Sequence, residues 1–376
     1  MAQHKKALVL SGGGGRGAYH VGVIEALVAE GWMIDGQGPD IIAGTSIGAI
    51  NAAALASGLT VAQLQRYWLS MHTEDVHQLS SDLPSISRPL MRFMLRSVLT
   101  SDAHNGSSNL PDDIQDPSLN SQGVFERLNA LFRMRPFRSL LETRPWRHTL
   151  QGWMDFERIN SPQAPALLLT ATDIQTGDLR VFSNRQRRGF APDTISIEHL
   201  MASSSIPTLY PWTELDGAKY WDGAVLANTP LGPVIDLAAG DDLDILVVMM
   251  TPWEATASDV RAHLQEVPSD LAQALWLTLD WSLLASYRAS IKMLRLYNQL
   301  AEAAIKLEQA AQQTGDMSLL MSSAPHMIAE PTVIAPAQLL PLEMILDYEE
   351  HNHRKLFEMG YADAIKALRR RAAPVP

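Results

Sequence analysis

Residues 39–54, PDIIAGTSIGAINAAA, leave the backbone few paths. Ile41 to Ala43 read as a short apolar strand, and the Ala-rich stretch after Ser46 reads as a helix. Between them stands Gly44-Thr45-Ser46-Ile47-Gly48, a Gly-x-Ser-x-Gly turn. A strand that turns straight into a helix crowds the Cβ atoms on either side of the turn, and glycine has none. The serine of such a turn sits on a strained backbone with its hydroxyl projecting, the geometry of a nucleophile elbow. A helix that begins at or just after Ser46 points its free N–H groups and its positive dipole end at the site. Negative charge developing on an attacked carbonyl oxygen is stabilised by such donors.

The residues before the elbow narrow the fold further. Lys6 to Leu10 (KALVL) form a buried-type strand ending in Ser11, followed by Gly12, Gly13, Gly14, Gly15, Arg16 and Gly17. A helix follows, with Val21, Ile24, Leu27 and Val28 at helical spacing and Gly31 as its stop. Strand, glycine loop, helix, strand, elbow and helix within the first 55 residues imply parallel strands joined by helical crossovers. The glycine loop has three readings. Gly12-x-Gly14-x-x-Gly17 fits a dinucleotide fingerprint, but no acid ends the second strand, where Gly44-Thr45-Ser46 stand. A phosphate loop closes on Lys-Ser/Thr, and here Gly17 is followed by Ala18 and Tyr19. The third reading is an oxyanion hole, because consecutive glycines leave successive N–H groups unshielded. Adjacent strand ends in one parallel sheet would set that loop beside Ser46, so this reading uses both motifs. A purely structural turn is the bland alternative.

Composition limits the chemistry. The 376 residues carry a net charge of −11, which argues against a nucleic-acid partner. With no cysteine, disulfides, thiolate catalysis and cysteine-bound zinc are excluded. The N-terminus runs straight into a strand without a long apolar segment, and Leu271 to Tyr287 read as a packed helix carrying Asp280 rather than a span. A cytoplasmic protein, at most peripheral to a membrane, is the expectation.

Further along, Thr60 to Met71 continue helical, and residues of about 73–156 form a helical, lid-like insertion or substrate wall. Within it Arg88, Arg92 and Arg96 recur every four residues across 83–99. That spacing fits a cap helix with its arginines in solvent, the favoured reading, or a helix in transient contact with an anionic membrane surface. Ser101 to Gly123 read as a loop, and Val124–Phe132 and Phe137–Thr143 as short helices. Ala166–Thr172 is a strand with Asp173 at the turn after it, and Leu179–Phe182 pairs back. Ile197–Ser203 is a helix, and Trp212–Trp221 a hairpin about Asp216-Gly217. The hairpin ends in Asp222-Gly223-Ala224, where an aspartate at a strand end can aim into a cleft. Asp244–Met250 is the last strong strand, Arg261–Gln313 is mostly helical, Thr332–Ala335 is an edge strand, and Asn352–Arg371 is a closing helix. Leu275, Leu279, Leu283, Tyr287, Ile291 and Leu294 form the apolar stripe of the long helix.

Taken together, Gly12 to Gly17, Gly44-Thr45-Ser46-Ile47-Gly48 and Asp222-Gly223-Ala224 resemble the patatin-like phospholipase family, in the family's order. The likeness spans about residues 5–252, with 253–376 left as a C-terminal helical extension packed on that core. It implies a three-layer α/β/α fold around a mostly parallel sheet, and a lipid acyl hydrolase using a Ser–Asp dyad without cofactor or metal. By position, Ser46 would be the nucleophile and Asp222 the general base. The N–H groups of Gly13 and Gly14, with Gly12 as a third candidate, would hold the oxyanion. Gly15, Arg16, Gly17, Gly44, Gly48, Gly223 and Ala224 would support the motifs. Rival readings are a Ser-His-Asp esterase, an acyltransferase, and a non-enzymatic lipid-binding protein. His20 reads as a packed histidine, Arg16 as a brace for the loop rather than a lipid-phosphate ligand, Asp173 as a turn residue, and His351 and His353 as part of a solvated face.

Overall fold

A computed structural model of the protein describes residues 4–81, 138–238, 241–253, 267, 271–314 and 327–372. The expected helices and loop between 83 and 132 lie outside those residues. Strand β1 (His4–Leu10) alternates in what it buries. Leu8 and Leu10 join one apolar cluster and Ala7 and Val9 another, as the two-residue period of a strand requires. The same split recurs in β2 (Ile41–Thr45), β5 (Ala166–Asp173) and β9 (Asp242–Val248), so the sheet is covered on both faces.

One face carries α1 (Ala18–Ala29), α2 (Ile47–Ala56), α3 (Val61–Ser70) and the closing helix α11 (Glu350–Ala372). The other carries α9 (Leu231–Leu237) and the long α10 (Leu271–Thr314). Leu284, Tyr287, Ile291 and Leu294 of α10 are buried there. Leu283 of the expected stripe is only half-buried, and Leu284 takes its place. No helix among the described residues is long and apolar enough to cross a membrane.

Between these elements run α4 (Thr73–Val76), β3 (Gln78–Leu79), β4 (Leu141–Glu142), α5 (Arg144–Trp153), α6 (Phe156–Ile159), β6 (Leu179–Ser183), α7 (Ile197–Ser203), β7 (Thr213–Leu215), β8 (Ala218–Asp222), α8 (Ala224–Ala227) and β10 (Thr332–Ile334). The sheet order is β10-β9-β1-β2-β5-β8-β7, with β6 also on β5. Pairings from β10 to β5 are parallel, whereas β6, β7 and β8 are antiparallel. This is the mostly parallel, three-layer α/β/α architecture expected from the sequence. The edge strand β10 and helix α11 bind the C-terminal region into that sheet and its helical cover. The expected short helix at 137–143 is corrected: Leu141 and Glu142 pair with Leu79 and Gln78 instead. The N–H groups of Leu140 and Leu141 are taken by the carbonyls of Thr208 and Leu209, which holds the segment extended.

Candidate active site

The register of β5 explains how residues far apart in sequence meet. β6 occupies one edge of β5 from Leu168 to Thr172. A strand has two edges, so β2 and β8 must share the other. Along it, Thr45 pairs with Thr170 and Asp222 with Ala171, the next residue. The end of β2 and the end of β8 therefore point at each other, and Ser46 follows directly after Thr45. On the opposite side of β2, Leu10 pairs with Gly44, which brings the glycine loop alongside the elbow. A Cβ placed on Gly12 would lie 3.0 Å from Ser46 Cβ. The three motifs thus converge at the carboxyl ends of parallel strands, where open α/β sheets place their sites.

The elbow is built as its sequence predicts. Ser46 has φ 57° and ψ −126°, a conformation that costs a non-glycine residue about 1–3 kcal/mol. Close packing makes it possible. A Cβ on Gly44 would stand 2.3 Å from the Gly48 carbonyl oxygen, and one on Gly48 would stand 2.2 Å from that of Leu10. Helix α2 starts at Ile47 and turns its N-terminus to the site. The Ser46 N–H donates to Ser203 Oγ at 3.1 Å. The Thr45 hydroxyl lies 2.5 Å from that of Thr170 and donates to the Ala227 carbonyl at 2.8 Å.

Asp222 is 2% exposed and Ser46 4%. The Ser46 hydroxyl is close enough to the Asp222 carboxylate to favour its charged form. Asp222 Oδ1 also accepts the Ala224 N–H at 2.8 Å, and its own N–H is held by the Ser205 carbonyl. Burial pushes the Asp222 carboxyl up to about 7 and outweighs Ser46 and the Ala224 N–H, which pull the other way. A carboxylate that would be almost proton-free at neutral pH in water is thereby matched to taking a proton there.

In the glycine loop, the expectation for Gly12 needs correction. Its N–H is already held by Asn228, through Oδ1 at 3.0 Å and the carbonyl oxygen at 3.2 Å. Among the described residues the N–H groups of Gly13 and Gly14 have no acceptor. Gly14 has φ +60°, and a Cβ there would lie 2.1 Å from the Ile345 carbonyl oxygen. Gly15 has the carbonyls of Met344 and Asp347 equally close, so the C-terminal segment 340–348 lies on the loop. Arg16 is buried and donates to the carbonyls of Leu340 and Pro341 at 2.9 and 3.2 Å. It braces the loop and is not presented to a ligand. Gly17 abuts Ile47 of α2, and Gly223 abuts Thr170, so both join motif to motif.

Among the described residues no histidine hydrogen-bonds Ser46 or Asp222. His20 is fully buried in α1 beside Asn51, and burial lowers its imidazole to about 3. Asp173 accepts the N–H groups of Gln175 and Thr176, the turn role expected of it. His353 is corrected: it is buried, with Nδ1 bonded to the Trp68 carbonyl at 2.7 Å and its ring edge-on to that of Trp68, because its side of α11 packs on α3. His351 is exposed, as expected.

The sequence reading missed Ser203, Asn228, Tyr210 and Tyr348. The Tyr210 hydroxyl lies 2.9 Å from His77 Nδ1, and the charge of Asp222 helps to keep the hydroxyls of Tyr210 and Tyr348 protonated. Tyr210 joins Leu141, Ile345 and Leu346 in an apolar cluster. A cleft of about 630 Å³ is lined by Arg138, Arg147, Glu198, Met201, Trp212 and Thr213, and it excludes Ser46 and Asp222. It adjoins α7, two residues from Ser203 at Met201.

No curated relative matches the chain. The chain is similar to VipD from Legionella pneumophila, at 16% identity over 97% of this chain and 67% of that one, with a TM-score of 0.40. It is also similar to ExoU of Pseudomonas aeruginosa in complex with SpcU, at 17% identity, 97% and 77% coverage and a TM-score of 0.29. Human GIVD cytosolic phospholipase A2 follows at 14% identity, 98% and 60% coverage and a TM-score of 0.28. The family model for patatin-like phospholipase matches residues 8–235, a stretch that contains the glycine loop, the elbow and Asp222-Gly223-Ala224. The chain belongs to the patatin-like phospholipase family.

Proposed function

We propose that this chain cleaves carboxylic esters of lipids through Ser46 and Asp222. The observation that carries the reading is a buried carboxyl, pushed up to about 7, which the strand register brings beside a buried elbow serine on a strained backbone. Serine is a weak nucleophile until a base takes its proton. Here Asp222 takes it as Ser46 Oγ bonds to the ester carbonyl carbon. The oxyanion that forms is met by the N–H groups of Gly13 and Gly14 and by the N-terminus of α2. Collapse expels the alcohol, which leaves with the proton from Asp222, and the acyl group stays on Ser46. Asp222 then deprotonates a water that attacks the acyl-serine, and the acid departs. In this scheme the apolar cluster around Tyr210, Ile345 and Leu346 faces the acyl chain, and the charged cleft beside α7 takes the head group.

The test is a panel of nitrophenyl ester, lysophospholipid, phospholipid and triacylglycerol, with wild type, Ser46→Ala and Asp222→Ala. Wild type should hydrolyse at least one lipid, and both variants should lose ~10³-fold or more in kcat. Undiminished hydrolysis by Ser46→Ala would end this mechanism. Product analysis with glycerol present separates transfer from hydrolysis.

A further inference from the structure

We propose that Asn228 is a positioning residue that holds the glycine loop in register with the nucleophile; the role rests on the hydrolase reading above. A Cβ on Gly12 would meet that of Ser46, and both oxygens of Asn228 converge on the Gly12 N–H, at 3.0 Å from the side chain and 3.2 Å from the main chain. Asn228 is 3% exposed, so this is an interior bond made across 216 residues of chain. The contact is tight: a Cβ on Gly12 would fall 2.6 Å from Asn228 Oδ1.

Its place in the chain gives the contact its meaning. Asn228 sits directly after α8, the one-turn helix that starts beside Asp222. Within residues 222–228, Asp222 faces Ser46, the Ala227 carbonyl holds the Thr45 hydroxyl, and Asn228 holds Gly12. One short segment therefore fixes base, elbow and loop against each other. Gly12 contributes no free donor itself. Its bond to Asn228 sets where the next two N–H groups lie relative to the carbonyl that Ser46 attacks. Those donors matter most when the oxyanion has formed, so the bond should act on the transition state and little on substrate binding.

The experiment compares wild type with Asn228→Ala on a nitrophenyl ester, and measures inhibition by a trifluoromethyl ketone, whose adduct with Ser46 carries the oxyanion. A misplaced donor set can cost ~10²-fold. Asn228→Ala should lower kcat by roughly 10- to 100-fold with KM within about 3-fold, and weaken the ketone by the same factor as kcat/KM. Should that variant fail to fold, Asn228→Ser, whose hydroxyl stops short of Gly12, carries the same expectation. Thr229→Val is the control for the segment. The Thr229 hydroxyl is buried without a partner among the described residues, so its removal should leave kcat unchanged. A kcat within twofold of wild type in folded Asn228→Ala, or a loss that appears in KM with ketone binding intact, overturns the role of Asn228 alone. Absence of ester hydrolysis by wild type overturns the hydrolase reading and this role with it.

Discussion

Exchanging Asp222 for asparagine puts a magnitude on burial at the site. In the folded chain burial holds the carboxyl proton up to about 7, against 3.8 for an unburied aspartate. The folded state thus binds this proton more tightly than the unfolded chain. Below pH 3.8 both states hold it and the charge costs nothing; the cost grows as pH rises between the two values and levels off above about 7. At ~1.4 kcal/mol per pH unit, about three units amount to roughly 4 kcal/mol at pH 8, and to about 2 kcal/mol at pH 5. An amide has nearly the same shape, carries no charge and still accepts the Ala224 N–H. Asp222→Asn should therefore be more stable than wild type at pH 8, by up to ~4 kcal/mol, with the gain cut by more than half at pH 5. Urea unfolding at both pH values measures this, with matched m-values as the check on the comparison. The same variant should be inactive, since it has no base. A stability difference that is flat between pH 5 and pH 8, or a variant less stable than wild type at pH 8, would refute the burial argument.

Three further outcomes follow from the same geometry. Because the base must be unprotonated, kcat/KM should fall as pH drops, with an acid limb centred near 7; a limb near pH 4 would contradict the buried base. Gly14→Ala forces a Cβ to 2.1 Å from the Ile345 carbonyl at φ +60°, and should destabilise the fold by more than ~2 kcal/mol, read as a lowered unfolding midpoint. His20→Ala removes a buried neutral histidine and should lower stability by ~1–3 kcal/mol while kcat stays within about tenfold. A loss above a thousandfold would transfer the base role to histidine.

The parts of the site that were legible in the sequence are those set by local backbone demands. Gly44 and Gly48 bracket the turn at positions that tolerate no side chain, and Asp222-Gly223 ends a hairpin whose Asp216-Gly217 turn has both residues at positive φ. The apolar run of β1 reads as a buried strand, and the sheet is indeed covered on both faces there. What stayed hidden depends on chain from elsewhere. Asn228 reads as one more polar residue before Pro230, and only the fold shows it reaching back to Gly12. Arg16 could be read as a brace, but its partners, the carbonyls of Leu340 and Pro341, have no sequence signature because any residue supplies a carbonyl. His353 reads as solvated because helical spacing scatters it, His351, Glu349 and Glu350 around the surface; which side of α11 meets α3 is a matter of packing. The segment at 137–143 was misread because its extended form is held by Gln78, Leu79, Thr208 and Leu209.

The most direct measurement is where an acyl or phosphonyl group attaches. Wild-type protein quenched during ester turnover, or treated with a fluorophosphonate, should yield a single modified peptide, with the added mass on Ser46. The adduct should be absent from Ser46→Ala and slow to form in Asp222→Asn. Modification of Ser203 or Ser205 instead, or continued turnover by a protein whose Ser46 is never modified, would contradict Ser46 as the nucleophile.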